Sequence, residues 1–155
     1  YYKQILYLVI AVIQRCSRGK VTVAKKVISE IKHGMVILLG VDKMDTDTDA
    51  NYLVNKISEL RIFNDEKNKM NLSIKDVNGT ALVVSQFTLC GDTRKGRRPS
   101  FINAALPEVG NRLYEYFMVQ LQDKGIPVES GEFGAMMDVE LINEGPVTFV
   151  LNSKD

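Results

Sequence analysis

One stretch of the sequence, residues 81–101, places polar side chains directly after an apolar run. Residues 81–89 are almost wholly apolar or β-branched, which predicts a strand. The polar side chains near its end are Ser85, Gln86 and Thr88. Four cations follow within five residues, namely Arg94, Lys95, Arg97 and Arg98. Because a buried polar group without a partner costs roughly 1–3 kcal/mol, hydroxyls and an amide beside a cationic loop predict a pocket for a polar ligand and favour an anionic one.

Each part of this stretch also has an ordinary structural explanation. Thr88 alone is typical of a β-branched residue that packs within a strand, and the Gln86 amide alone could simply form a hydrogen bond with a neighbouring group. A run of cations is usually a solvated loop. The combination is more specific than its parts, but it fits both an enzyme and a nucleic-acid-binding module. The residues by themselves leave these two classes open.

Histidine chemistry and metal chemistry have little support in the sequence. His33 is the only histidine, and it precedes Gly34 in a predicted turn, where a histidine is typically solvated. No cluster of histidine and cysteine predicts a metal site. Asp45, Asp47 and Asp49 are spaced like the start of a calcium loop, but the Gly-x5-Glu completion is missing and acids favour a helix N-terminus. We therefore expect no metal and no cofactor.

Two longer motifs resemble those of a known family. Residues 85–89 read Ser-Gln-Phe-Thr-Leu, and residues 91–101 read Gly-Asp-Thr-Arg-Lys-Gly-Arg-Arg-Pro-Ser-Phe. Residues 143–148 read Asn-Glu-Gly-Pro-Val-Thr. Together and in this order they resemble the D-aminoacyl-tRNA deacylase family, whose second motif is Asn-x-Gly-Pro-x-Thr. Shorter similarities occur at 11–15, 60–63 and 131–137, so that the resemblance extends from 10 to 152.

The resemblance implies a reaction and a substrate. Members of this family hydrolyse the ester that joins a D-amino acid to the 3′-terminal adenosine of tRNA, releasing free tRNA and the D-amino acid. They also clear glycine mischarged on tRNA(Ala), which implies chiral proofreading in translation. An aminoacyl ester is already activated, so the enzyme needs positioning and oxyanion stabilisation more than a strong nucleophile. Two alternatives remain, a related deacylase that acts on mischarged L-alanyl-tRNA and a non-catalytic RNA-binding module.

The first motif is expected to supply the catalytic residues. By resemblance, Ser85, Gln86, Phe87 and Thr88 line the pocket for the terminal adenosine and the ester, and the main-chain N–H groups around Phe87 and Thr88 are the natural oxyanion donors. A threonine hydroxyl needs a base to become a nucleophile, and the motif offers no evident histidine, lysine or acid. We therefore favour water as the nucleophile, helped by the 2′-hydroxyl of the substrate, over Thr88. Cys90 stands where the family commonly has tyrosine.

Other positions are expected to bind the substrate. By resemblance, Met137 packs against the adenine, and Gly145 with Pro146 forms the chirality filter through a cis peptide bond. Arg15, on the first strand, is expected to steady that Gly-Pro segment. The phosphates of tRNA are expected to contact Arg94, Lys95, Arg97 and Arg98. The resemblance also implies a homodimer in which each active site lies near the partner subunit.

Bulk properties fit one soluble domain. The chain has 155 residues, of which 45% are hydrophobic and 25% are charged, as in an ordinary globular protein with its own core. A net charge of +1 gives no general attraction for nucleic acid, so contact with RNA must come from a local patch, and we expect no DNA partner.

Cys16 and Cys90 lack CxxC spacing and are expected to be reduced in a cytoplasmic protein. The apolar run 5–12 is too short to span a bilayer, and we expect no membrane association.

Periodicity indicates the elements that must position these residues. Strands are predicted at 5–12, 21–23, 27–31, 35–41, 81–89, 137–141 and 147–151. Thr46 and Asp49 form a capping-box-like helix start, and Pro107 fits the first position of a second helix. This pattern predicts an α+β single domain with an antiparallel or mixed sheet curled like a barrel and two main helices. We interpret residues 1–8 as an N-terminal extension and 9–155 as the domain.

Overall fold

The structure, a computed structural model, describes residues 9–154. The predicted extension at 1–8 lies outside the described residues. The strands are β1 Ile10–Val23, β2 Lys26–Ile31, β3 Gly34–Gly40, β4 Phe63–Asn64, β5 Met70–Leu72, β6 Thr80–Ser85, β7 Val128–Ser130 and β8 Met137–Asn152. The helices are α1 Asp47–Glu59 and α2 Pro107–Asp123, with a 3-10 helix at Phe87–Cys90.

The main sheet is mixed and nearly closed on itself. Its strand order is β2-β1-β3-β6-β7, and β8 pairs with the other edge of β1. β3 with β6 and β6 with β7 are parallel pairs, whereas the remaining pairs are antiparallel. The first half of β1 pairs with β3 and its second half with β2, and bulges near Cys16 mark the change. The predicted α+β fold with a barrel-like mixed sheet and two helices is confirmed.

Two apolar layers lie on the two faces of β3 and β6. Because side chains alternate along a strand, Ile37 and Val83 face a core formed with both helices, while Val36, Leu82 and Val84 face the other way. This second face is covered by the carboxyl-terminal half of β1 and the amino-terminal part of β8. β1 and β8 therefore bend across the sheet, which places the start of β8 above the end of β6.

Both predicted helices form where capping predicts them. The N–H of Thr46 donates to the Asp49 carboxylate at 2.9 Å, which completes the predicted capping box. Pro107 is the first residue of α2, as predicted. Leu113, Phe117 and Leu121 recur at four-residue spacing along α2 and are buried, whereas Val109, in its first turn, is exposed. Within residues 9–154, neither helix has the length and apolar character needed to cross a membrane.

Several predicted strands differ from the observed ones. The strand predicted at 81–89 ends at Ser85, because Leu89 N–H and Gly91 N–H bond back to Gln86 and Thr88 and turn the chain into a 3-10 helix. An apolar run does not distinguish these two conformations. The strands predicted at 137–141 and 147–151 are parts of one continuous strand, β8. In the same way, the strand predicted at 21–23 and residues 10–12 of the strand predicted at 5–12 belong to one strand, β1.

The predicted cis peptide bond before Pro146 is wrong. No peptide bond within residues 9–154 is cis. The backbone instead stays extended through β8, and Gly145 takes up the local distortion with a φ of 106°, a value that suits a residue without a side chain.

Candidate active site

A cavity of about 420 Å³ opens at the carboxyl end of β6. Ser85, Gln86 and Phe87 form one wall, and Met137 and Val139 of β8 form another. The remaining lining comes from β6, the segment that leads into α2, the first residue of α2 and the loop before β8, namely Val84, Ala104, Ala105, Pro107, Phe133, Gly134 and Ala135. The structure therefore brings together four of the residues predicted for the site, three from the first motif and Met137.

A buried tyrosine connects α2 to the strand that ends at this cavity. Tyr114 on α2 donates its hydroxyl hydrogen to the carbonyl oxygen of Val83 at 2.8 Å, and its ring lies 6.0 Å from that of Phe133. Burial raises the pKa of Tyr114 to about 12, so the hydroxyl remains a hydrogen-bond donor at neutral pH. It couples α2 to the strand whose end forms the cavity wall. The predicted site did not include Tyr114, since a tyrosine in an apolar helix stripe is usually a core residue.

Thr88 does not line the cavity and has no base beside it. Its side chain is exposed, and its hydroxyl oxygen accepts a hydrogen bond from the Gln86 amide. An amide nitrogen that donates to this oxygen lowers its electron density and cannot remove its proton. Among residues 9–154, no histidine, lysine or acid bonds to it. The hydroxyl hydrogen is left to act as a donor.

The start of the 3-10 helix offers main-chain donors at the cavity wall. The first N–H groups of a helix have no acceptor within it, and no side chain caps this helix. Phe87 and Thr88 are its first two residues, so their N–H groups are the candidates. Phe87 lines the cavity and Thr88 follows it in the chain, so these two N–H groups are the nearest candidates for neutral donors to a developing negative charge.

The cationic loop is attached to the same wall. A bridge between Asp92 and Ser100 closes it, and the Phe101 ring packs edge-on against Phe87 at 5.0 Å. Arg94 is bound to the Asp92 carboxylate at 2.9 and 2.7 Å, and this partner lowers the pKa of Asp92 to about 2. Lys95, Arg97 and Arg98 are exposed. The loop thus offers three cations without a carboxylate partner inside the described range, and one that is already paired.

Gly145 and Pro146 lie on a wide bulge of β8. Gln14 pairs with Thr148 and Cys16 pairs with Asn143, so residues 144–147 stand opposite Arg15 alone. The Asn143 amide closes the bulge by donating to the main-chain oxygens of Arg15 and Val147 at 2.9 and 3.0 Å. This explains the asparagine of the second motif, for which the sequence suggested no role.

Arg15 supports this bulge from below. It is only 3% exposed, and its guanidinium donates to the main-chain oxygens of Glu144 and Ile62 at 3.2 and 2.8 Å. A third bond joins it to the side-chain oxygen of Asn64 at 3.1 Å. Arg15 therefore holds the residue that precedes the Gly-Pro segment.

Within one chain, the bulge and the cavity are apart. Arg15 pairs with Met35, which pairs in turn with Ala81 at the first part of β6. The cavity lies at Ser85, four residues further along this strand, which is roughly 13 Å at 3.3 Å per residue. The structure of a single chain does not bring Gly145 and Pro146 to the cavity.

Solved structures share this arrangement of a nearly closed mixed barrel and two helices. The c-Myc DNA Unwinding Element Binding Protein superimposes with a TM-score of 0.85 at 39% identity, covering 92% of this chain and 97% of that one. A probable eukaryotic D-amino acid tRNA deacylase superimposes with a TM-score of 0.82 at 19% identity, covering 94% and 99%. At that identity the second match supports the fold alone.

The sequence defines the family. Residues 12–152 match the family model described as D-Tyr-tRNA(Tyr) deacylase. The chain is 54% identical to a D-aminoacyl-tRNA deacylase of Thermotoga petrophila over 92% of its length and 96% of that protein, and 56% identical to one of Thermosipho melanesiensis over 93% and 97%. The chain belongs to the D-Tyr-tRNA(Tyr) deacylase family. It is a hydrolase that acts on ester bonds, a D-aminoacyl-tRNA deacylase.

Proposed function

We propose that the chain carries out chiral proofreading, with the terminal adenosine of D-aminoacyl-tRNA in the cavity at the end of β6 and water as the nucleophile. The observation that carries this proposal is the combination in one cavity of apolar walls with the start of the 3-10 helix. A volume of about 420 Å³ lies within the usual range of small-molecule sites, roughly 300–1,000 Å³.

The apolar part of the cavity suits the adenine base. The Met137 thioether and the Phe133 ring offer polarizable surface to a flat heterocycle. Ser85 and Gln86 lie on the wall where the ribose and the ester would follow. The base would then fix the ester next to the first N–H groups of the 3-10 helix.

The reaction then needs charge stabilisation more than a protein nucleophile. As water attacks the ester carbonyl, negative charge develops on its oxygen, and the N–H groups of Phe87 and Thr88 would donate to it. The 2′-hydroxyl of the substrate would assist the attacking water. The bond between the Gln86 amide and Thr88 supports a donor role for the threonine hydroxyl, because that amide cannot act as a base.

The chirality filter is assigned to Gly145 and Pro146 of a second copy of the chain. Within one chain the bulge on β8 is in register with Ala81 near the start of β6, whereas the cavity lies at the end of β6. This separation supports a homodimer in which the bulge of one chain reaches the cavity of its partner. Main-chain carbonyls near the α-carbon would leave room for hydrogen only, so an L side chain would clash and a D side chain would not. Rejecting the L form by 10³ requires about 4 kcal/mol.

Glycine and tRNA binding follow from the same arrangement. A main-chain filter has no side chain to reject on glycine, so glycyl-tRNA(Ala) would also be hydrolysed.

The cations of the 94–98 loop would bind tRNA phosphates, in a cytoplasmic enzyme whose partner is RNA. The loop extends from the cavity wall formed by Phe87, because Phe101 packs against that ring. The RNA strand would pass this wall as it leaves the site.

Nucleic-acid binding without hydrolysis is the second candidate. It is favoured by the exposed cationic loop and by a 39% identical structure whose name refers to a DNA element. Binding of tRNA or of DNA with no release of the amino acid would support it. The cavity and the absence of a wholly basic surface at a net charge of +1 favour the enzyme.

The decisive experiment compares D-Tyr-tRNA, L-Tyr-tRNA and glycyl-tRNA(Ala) as substrates under identical conditions. We expect release of D-tyrosine and glycine, and refusal of the L substrate. Hydrolysis of L-alanyl-tRNA in place of the D substrate would favour the alternative deacylase. Sedimentation at micromolar concentration tests the dimer separately, and a mass near 17.4 kDa would contradict it.

A further inference from the structure

The hairpin between β1 and β2 has a strained, cationic tip. Ala24 and Lys25 both have positive φ, 49° and 67°, where a two-residue hairpin turn typically uses Asn-Gly or another pair that tolerates this conformation. Lys25 and Lys26 are exposed, and inside the described range neither forms an ion pair. The chain therefore keeps two free cations on a turn that does not favour the residue types it holds.

This tip lies beside the cavity. Val23, the last residue of β1, pairs with Lys26 on one side and with Met137 on the other. Neighbouring strands are about 4.8 Å apart, so the backbones of Lys26 and Met137 are separated by roughly 10 Å. Met137 lines the cavity. The hairpin tip is thus an extension of the β8 wall.

The side chain of Lys26 lies on the cavity face of these strands. Residues directly opposite one another in antiparallel strands point to the same face, so Lys26, Val23 and Met137 share one face. The acids of β8 lie on the other, because Asp138 and Glu140 alternate with Met137 and Val139 along the strand. Glu140 is already paired with Lys20 at 3.1 Å. No acid of β8 therefore competes for Lys26 on its own face.

Cationic segments therefore extend from two sides of the cavity, although no cation lines the cavity itself. The 94–98 loop extends from the wall formed by Phe87, through the packing of Phe101 on that ring. The hairpin tip extends from the wall formed by Met137. A strand of nucleic acid whose last base fills the cavity must leave through the mouth between these walls, with its phosphates near both.

We propose that Lys25 and Lys26 form a second phosphate-binding site, which contacts the RNA strand of the substrate next to its terminal nucleotide. This inference rests on the proposed placement of the terminal adenosine in the cavity. Cations on both sides of the exit would hold the backbone as in other single-strand sites, where a basic groove follows the phosphates. Their role is binding and register, with no part in the chemical step.

The test compares K25Q/K26Q with wild type on two substrates. On D-Tyr-tRNA we expect a higher KM, an unchanged kcat and a salt dependence whose log–log slope is shallower by about 0.7–0.9 for each lost contact. On D-tyrosyl-adenosine, which has no phosphates, we expect wild-type rates. K25R/K26R keeps both charges and should restore KM.

A matched control removes two exposed lysines elsewhere. Lys56 and Lys124 lie at the carboxyl ends of α1 and α2, away from Pro107 and the cavity, so K56Q/K124Q should leave KM and the salt slope unchanged. A melting temperature for each variant checks folding. An unchanged slope for K25Q/K26Q, or an equal loss in K56Q/K124Q, would overturn the inference. If wild type hydrolysed no substrate, the proposed function would fail, and tRNA affinity of the same variants would still decide the role of the hairpin.

Discussion

The Arg15 guanidinium donates a hydrogen bond from Nε to the main-chain oxygen of Glu144 at 3.2 Å. It thereby fixes the residue that immediately precedes Gly145. A Cβ at Gly145 would lie 2.3 Å from Arg15 Nη2, so the two residues fit only while position 145 has no side chain. The shape of the bulge is therefore set by a residue more than 120 positions away in the chain.

Arg15→Lys should lower both stability and activity. A lysine ammonium cannot reach three acceptors in the fork geometry of a guanidinium, which leaves buried carbonyl oxygens of Ile62 or Glu144 without a partner. Each lost bond to a charged group is worth roughly 1.5–3 kcal/mol. Thermal unfolding and D-Tyr-tRNA hydrolysis measure the two effects. Arg18→Lys, at an exposed position of the same strand, is the matched control, and an equal effect there would contradict the supporting role.

Gly145→Ala should abolish most activity on the D substrate. The new methyl group would enter space held by Arg15 Nη2, and the φ of 106° is unfavourable for alanine. We expect kcat/KM to fall by more than about tenfold, or 1.4 kcal/mol in transition-state binding. Gly125→Ala, after the end of α2, serves as the control, because φ there is 86° and a Cβ would make only ordinary contact with Lys75, at 3.7 Å. Normal hydrolysis by a folded Gly145→Ala variant would remove the bulge from the mechanism.

Thr88→Ala should keep a substantial part of the activity. Its hydroxyl accepts a bond from Gln86 and contacts no base in the described structure, while the proposed oxyanion donors are main-chain groups that the substitution retains. Single-turnover rates on D-Tyr-tRNA provide the measurement. A loss of about 10⁴ or more, or an acyl-enzyme trapped on Thr88, would establish it as the nucleophile instead.

Arg97→Gln with Arg98→Gln should weaken tRNA binding more than Arg94→Gln does. Arg94 is held by the Asp92 carboxylate, so it contributes less net positive charge to the loop. The double variant should raise KM and make the log–log salt slope shallower by about 0.7–0.9 per contact. Steady-state kinetics at several salt concentrations test this, with Arg94→Gln as the comparison. Equal effects per residue at all three arginines would show that the Asp92 pair does not matter.

Asp45→Asn should stabilise the protein at alkaline pH. Burial raises the pKa of Asp45 from its ordinary value to about 7, and one of its oxygens has no hydrogen-bond partner in the described structure. Because the folded state binds the proton more tightly, stability from this group is present below about pH 4 and is lost as pH rises to about 7. The gain in the variant should be about 1–4 kcal/mol at pH 8 and smaller at pH 5.

Melting temperatures across this pH range provide the measurement for Asp45. Asp138→Asn, an exposed carboxylate on β8, is the control. A stabilisation by Asp45→Asn that does not change between pH 5 and pH 8 would show that the side chain is ionised throughout, and that its effect comes from packing.

The elements that depend on local sequence were predictable, and those that depend on distant partners were not. The capping box of α1 and Pro107 at the start of α2 each follow from a few neighbouring residues. The end of β6 at Ser85 and the bulge at 144–147 depend on pairing with β3 and on Arg15, which no local pattern contains. The resemblance indicated Met137, Gly145 and Arg15 as residues of the substrate site. It did not indicate that the bulge at Gly145 and the cavity lie at separate places within one chain.

The pairing of β1 with β8 also affects how the chain folds as it is synthesised. Ile10 pairs with Asn152 and Val23 with Met137, so the strand made early waits for its partner until more than 110 further residues have left the ribosome. Until then β1 has a free edge, the kind of surface that invites pairing with other chains. A chain whose synthesis stops within β8 would therefore leave part of this edge of β1 unpaired and open to pairing with other chains.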